Sequence, residues 1–251
     1  MPASAWALAA AEAVRAASLN LCTDELLLSL GRPEQIVSVS HLGRNAQETA
    51  LWRLGQRVPA NDGSLESVAA RRPTLLLSMG GSGRARASLA AKLGIRLIDL
   101  SYPTSPAEVV RQAETVAAAL GRPEAARPYR AALARLVATR QSLRPGAFLS
   151  GGGQSLSPGG LGAQWLALAG VRQIALPGGR LTLEGLATDP PKLLIRSDYR
   201  ESQASRGTAW LKHPLVARLA PRTVRTDGRA WTCGGLPMLA EVARLRQVMP
   251  R

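Results

Sequence analysis

One segment of this chain occurs twice, and that repetition restricts the possible folds more than any other feature. Ser64-Leu65-Glu66-Ser67-Val68-Ala69-Ala70-Arg71-Arg72-Pro73-Thr74-Leu75-Leu76-Leu77 has a counterpart in Thr182-Leu183-Glu184-Gly185-Leu186-Ala187-Thr188-Asp189-Pro190-Pro191-Lys192-Leu193-Leu194-Ile195. Hydroxyl, Leu, Glu, Pro and the apolar run keep their spacing. Each copy reads as a short helix capped by a hydroxyl, with an acid in its first turn, then a proline break and a buried strand. A chain that repeats such a unit is expected to fold as two similar halves.

The surroundings agree. An apolar run over 16–21 leads through Cys22-Thr23-Asp24 into a helix from Glu25 to Leu30, which Thr23 or Asp24 is expected to cap and Gly31 to close in the left-handed conformation. A strand over 35–40 ends at His41, a helix is expected over Ala46–Leu54, and the first copy is followed by a helix (84–93) and a strand (95–100). The second copy sits between a strand over 147–150, a helix over 164–169 and an apolar run near Ile174 on one side, and a helical segment over 215–219 and a strand at 223–225 on the other. Strands alternating with helices imply parallel sheets covered on both faces.

Between the halves, Val109, Ala113, Val116, Ala117 and Leu120, then Leu133, Leu136 and Val137, recur at helical spacing, with Gly121-Arg122-Pro123 as a kink or interruption. The expected fold is thus α/β, two Rossmann-like lobes with mostly parallel sheets bridged by a long α-helix. The lobes are 16–105 and 144–251 and the bridge is 106–143. Residues 1–15 stand outside as an export-signal remnant or an N-terminal extension: their small-residue A-x-A patterns fit a cleavage site, but they lack a basic leading region.

Composition removes several function classes. The net charge of +15 suggests nucleic acid, yet the basic residues are scattered singly, Arg71-Arg72 is the only adjacent pair, and one Phe and three Tyr offer few stacking platforms. No nucleic-acid partner is expected, and the charge favours anionic ligands or surfaces. No apolar stretch is long enough to span a bilayer, so no stable membrane insertion is expected. G-x-S-x-G, H-E-x-x-H, C-x-x-C and the phosphate-binding G-x-x-x-x-G-K-[ST] are all missing, and there are only two His. The chain is therefore not expected to be an enzyme; a doubly wound glycosyltransferase acting on nucleotide sugars is the alternative. A bare-metal receptor would need three or four His, Asp or Glu ligands.

In parallel α/β sheets a ligand lies beyond the carboxyl ends of the strands. That rule selects Cys22, Thr23, His41, Arg44, Asn61, Met79, Gly81, Ser82, Arg84 and Tyr102 in the first lobe, and Ser197, Tyr199, Arg200, Trp231 and Cys233 in the second. Arg44, Arg84, Arg196 and Arg200 are candidate partners for acidic groups on a ligand. Tyr102 and Trp231 are expected to flank a flat molecule from opposite sides. Trp52, Trp165 and Trp210 are expected in the core, and His213 is expected to be structural. Cys22 and Cys233 admit three readings: a disulfide across the cleft, two unrelated thiols, or soft metal ligation.

The chain resembles the periplasmic binding proteins of the cobalamin and ferric-siderophore ABC importer family over roughly residues 15–246. The resemblance rests on Ser18-Leu19-Asn20-Leu21-Cys22-Thr23-Asp24-Glu25-Leu26, Val37-Ser38-Val39-Ser40, the Leu-Glu…Pro-x-Leu-Leu unit, Leu93-Gly94-Ile95 and Trp231-Thr232-Cys233-Gly234-Gly235. It implies a monomeric periplasmic protein, without a cofactor of its own, that captures a metal chelate between its lobes. The expected cargo is a cobalamin or other corrinoid or a ferric siderophore, with haem ranked behind them. It also implies that Glu66 and Glu184, one per lobe, meet arginines of an ABC permease dimer.

Overall fold

The computed structural model describes residues 13–81, 83–139 and 141–249; most of the expected signal remnant, and Ser82, lie outside them. The first lobe runs β1 (Ala16–Ser18), α1 (Leu21–Leu30), β2 (Ile36–Ser40), α2 (Trp52–Gly55), β3 (Ala60–Asn61), α3 (Leu65–Ala69), β4 (Leu75–Met79), α4 (Gly83–Lys92) and β5 (Arg96–Leu100). Its sheet has the order β3-β2-β1-β4-β5, with every pairing parallel. The second lobe runs β6 (Arg144–Leu149), α7 (Leu161–Leu168), β7 (Val171–Gln173), α8 (Leu183–Thr188), β8 (Leu194–Ser197), α9 (Arg206–Leu211), α10 (Pro214–Ala217), β9 (Thr223–Thr226), α11 (Gly228–Cys233) and α12 (Pro237–Val248). Its order is β7-β6-β8-β9, again all parallel.

The repeat folds as its sequence predicts. Ser64 Oγ accepts the Ser67 N–H at 3.2 Å and Thr182 Oγ1 accepts the Gly185 N–H at 3.0 Å, so each hydroxyl caps its short helix. Each satisfies one of the free donors of a first turn. The strands that follow, β4 and β8, occupy matching positions beside the first strand of each lobe and are almost wholly buried.

The bridge is helical, as expected, and its break falls at Gly121-Arg122-Pro123. α5 (Pro106–Ala119) and α6 (Arg127–Ala138) are separated there by a short 3-10 turn. The two helices run back along one another: Glu114 pairs with Arg130 at 3.2 Å near the turn, while Pro106 and Val137 line one cavity at the far end. The bridge is therefore a hairpin of two helices rather than one continuous rod. Gly121 has φ 71°, the left-handed conformation that a reversal needs and glycine adopts without strain.

Three local expectations are corrected. The first helix begins at Leu21, and its cap is Asn20, whose Oδ1 accepts the Thr23 N–H at 3.2 Å, not Thr23 or Asp24. Gly31 is not left-handed (φ −77°). The helix end is instead held by the bridge, where Arg122 Nη1 donates to the Leu30 carbonyl at 2.6 Å. Most of the helix expected over Ala46–Leu54 is missing, with only Trp52–Gly55 helical. Asn45 Oδ1 takes the Gln47 N–H, Thr49 Oγ1 takes the Leu51 N–H, and these local bonds replace helical ones.

One continuous core joins the lobes. Leu27 and Leu30 of α1, Val116 of α5, Trp165 of α7 and Met238 and Val242 of α12 all belong to it. Burying each large apolar side chain is worth roughly 1.5–3 kcal/mol. Trp165 is fully buried with its Nε1 donating to the Gly234 carbonyl at 2.8 Å. Trp52 and Trp210, in contrast, are only half-buried, and Arg53 lies over the Trp52 ring. Arg246 of α12 ties the second lobe to the bridge, donating to the Leu136 carbonyl (2.6 Å) and to Thr139 Oγ1 (2.7 Å).

Candidate functional site between the lobes

In each sheet the strand order reverses at one point, between β1 and β4 in the first lobe and between β6 and β8 in the second. Such points open a crevice beyond the strand ends. In the first lobe Asn20 closes its base, donating from Nδ2 to the Met79 carbonyl at 3.2 Å.

The structure divides the predicted site residues. Thr23, Asn61 and Ser197 are buried and engaged by the protein itself. Thr23 Oγ1 bonds Ser18 at 2.7 Å, Asn61 donates to the Ser18 carbonyl and the Ser38 hydroxyl, and Ser197 Oγ accepts the Tyr199 N–H. They shape the strand ends. Cys22 and Cys233 are joined in a disulfide with Cα atoms 5.3 Å apart, which settles their three readings in favour of a staple between the lobes. Neither is then a metal ligand.

Trp231 is half-buried, stacked obliquely on Phe148 (centroids 4.7 Å) with its Nε1 on Thr226 Oγ1. Met79 is half-buried against the core, and Arg44 is half-buried with its Nε enclosed. His41, Gly81, Arg84, Tyr102 and Arg200 are exposed. Tyr102 lies over Gly80, where a Cβ would come within 2.7 Å of the phenol oxygen; glycine is what leaves room for the ring. His213 is structural, as expected, its Nδ1 accepting the Leu215 N–H.

The lobes also meet along a polar seam whose first-lobe side was not among the residues selected from the sequence. The irregular turn after β2 meets the loop after β8. Glu48, buried, accepts the Tyr199 hydroxyl at 2.7 Å on one oxygen and pairs with Arg200 through the other. Gln203 donates to Gln47 at 2.5 Å, and Arg229 Nη1 donates to the Ala46 carbonyl at 3.0 Å. Beside this seam lies a polar cavity of about 580 Å³, whose walls include Gln47, Tyr199, the cations Arg200, Lys212, Arg225 and Arg229, and the acids Asp198, Glu201 and Asp227. A cavity of that size suits a small polar organic ligand, although Arg200, Arg225 and Arg229 are each already paired with an acid. Neither Tyr102 nor Trp231 lines it, so the expected aromatic sandwich is not formed around this space.

Acids are buried behind the seam. Asp24 accepts the Ser40 N–H at 2.9 Å and the Ser40 hydroxyl at 2.5 Å, and burial pushes its carboxyl up to about 7. Burial likewise pushes Glu25 up to about 8, aided by the nearby charges of Asp24 and of Asp227 from the other lobe. Glu25 Oε1 accepts the Thr49 hydroxyl at 2.8 Å, whereas Oε2 is enclosed without a hydrogen bond. Although burial opposes it, hydrogen bonds from Arg229 hold Asp227 below its ordinary value. Two adjacent acids within the Leu-rich stretch Leu21-Cys22-Thr23-Asp24-Glu25-Leu26-Leu27-Leu28 were the readable sign of a polar centre here.

Glu66 and Glu184 are exposed at the second position of α3 and α8. The repeat thus presents the same carboxylate twice, once per lobe.

No family model matches this sequence, and no curated protein matches it either. Solved structures do. The periplasmic haem-binding protein HutB of Vibrio cholerae superposes with a TM-score of 0.72 at 18% identity, covering 94% of this chain and 98% of that one. The periplasmic haem-binding protein BhuT, solved with two haems, gives 0.68 at 18% identity over 93% and 96% of the two chains. CeuE of Helicobacter pylori, solved with Ni(II), gives 0.66 at 14% identity over 93% and 82%. The chain therefore has the two-lobed α/β fold of the periplasmic binding proteins HutB and BhuT.

Proposed function

We propose that this protein is the substrate-binding component of an ABC importer, holding a metal chelate between its lobes and delivering it to a permease dimer. The observation that carries the reading is the polar cavity beside the seam between two parallel-sheet lobes, at the carboxyl ends of β8 and β9. Among the described residues no three His, Cys, Asp or Glu side chains converge as a metal site, and a chelate brings its own donors. Corrinoids, ferric siderophores and haem are the candidate cargoes. Likeness in fold to HutB and BhuT moves haem forward among them, and its carboxylates suit Arg200.

A disulfide between the lobes fits an oxidising compartment outside the cytoplasmic membrane. No described helix is long and apolar enough to cross a membrane. Glu66 and Glu184 would meet basic residues of the permease, and one monomer would span both of its halves.

Titrating the purified protein with hemin, cyanocobalamin and ferrichrome, while following tryptophan fluorescence and ligand absorbance, tests this reading. Saturable one-to-one binding of one of them is expected. No binding of any of the three would count decisively against a chelate receptor of this kind.

A further inference from the structure

We infer that Tyr199 and Arg200 form a carboxylate receptor which the protein's own Glu48 occupies in this structure, and that a carboxylate on an incoming ligand displaces Glu48. The inference rests on the proposed function only for the identity of the cargo.

Four observations support it. Glu48 receives one donor on each oxygen, a phenol hydroxyl on one and a guanidinium on the other, which is how proteins grip a carboxylate they recognise. Both donors belong to the opposite lobe, and among the described residues this is the one ion pair that joins the lobes. Arg225 pairs with Glu201 and Arg229 with Asp227 inside the second lobe. The donors are also prearranged. Arg200 has φ 52°, a conformation costly for any residue but glycine, and its guanidinium lies 5.2 Å from the centre of the Tyr199 ring. Finally, Glu48 is buried while the Arg200 side chain is 42% exposed and borders the 580 Å³ cavity. A second carboxylate can reach Arg200 from that cavity without the lobes first separating.

The exchange replaces one carboxylate by another at the same two donors, so the receptor is never left unpaired. It also ties occupancy to shape: once Glu48 is released, the ion pair between the lobes is gone and the turn bearing it is free to move.

The test uses the full-length protein with succinate and citrate as probes, measured by isothermal titration calorimetry in chloride buffer. Glu48→Ala is expected to bind them about tenfold or more tightly than the wild type, and Arg200→Ala in that background to remove the gain. Glu48→Gln, which keeps the shape and loses the charge, serves if the alanine variant does not fold, and a smaller gain is expected. No gain in either variant, or a gain that survives Arg200→Ala, overturns the assignment. Hemin and its dimethyl ester, run on the same proteins, separate the two readings. A carboxylate gain without binding of either porphyrin keeps the receptor and argues against haem. Hemin bound tenfold more tightly than its ester by the wild type, with the difference lost in Arg200→Ala, supports both.

Discussion

Ser64 and Thr182 perform one task in two places: each hydroxyl accepts the N–H three residues ahead, at 3.2 and 3.0 Å, at the start of equivalent helices in separate lobes. Replacing either with alanine is expected to cost about 1 kcal/mol. Because the sites are far apart and share no partner, the double variant should lose the sum. Urea unfolding of the two single variants and the double variant measures both the size and the additivity.

The disulfide predicts a larger effect. Cys22 and Cys233 are separated by 211 positions, and a cross-link closing so long a loop removes much of the unfolded chain's freedom. Replacing both with serine should lower unfolding free energy by roughly 2–5 kcal/mol. Denaturation of the oxidised protein, the reduced protein and the serine pair should place the last two together.

The contribution of Asp24 and Glu25 to stability should fall as pH rises from about 4 to 8. Well below pH 4, Asp24 and Glu25 are protonated whether the chain is folded or not. At higher pH the unfolded chain releases these protons near the ordinary values of 3.8 and 4.5, while the folded chain keeps them until about 7 and 8. The folded state then holds more protons, and raising the pH favours unfolding until both groups have titrated. Glu25→Gln should flatten part of this slope and raise stability at pH 8 more than at pH 5. Urea midpoints at the two pH values measure it.

Charge reversal at Glu66 and Glu184 addresses the partner. The double Lys variant should lose only a few tenths of a kcal/mol per helix from an unfavourable first-turn charge. It should keep its ligand affinity within about twofold, since both residues lie outside the cavity. Stimulation of the permease's ATPase should disappear. An unchanged ATPase response would remove these residues from the docking surface.

The features legible in the sequence were those that depend on neighbours in the chain. Caps at Ser64 and Thr182, the break at Gly121-Arg122-Pro123 and the apolar strands all follow from residues within a few positions of one another. The seam was not legible, because Glu48 meets partners 151 and 152 positions away. The same distant pull explains the false helix over 46–54, where Asn45, Glu48 and Thr49 spend their side chains on a turn and on other elements. Strand-end selection named Tyr199 and Arg200, which lie at the seam. It also included Thr23, Asn61 and Ser197, since position along a strand does not reveal that a hydroxyl or amide is already bonded. The cysteines were open to three readings because their pairing depends on a distance that only the folded lobes create.

That pairing also changes what cutting the backbone does. The bond encloses nearly the whole chain, including the exposed turn at 157–159. A protease that cleaves once inside this ring leaves two pieces still held together, and the cut protein runs as one band on an electrophoresis gel until reductant is added. Exposed loops in such a molecule can be nicked without the halves parting company.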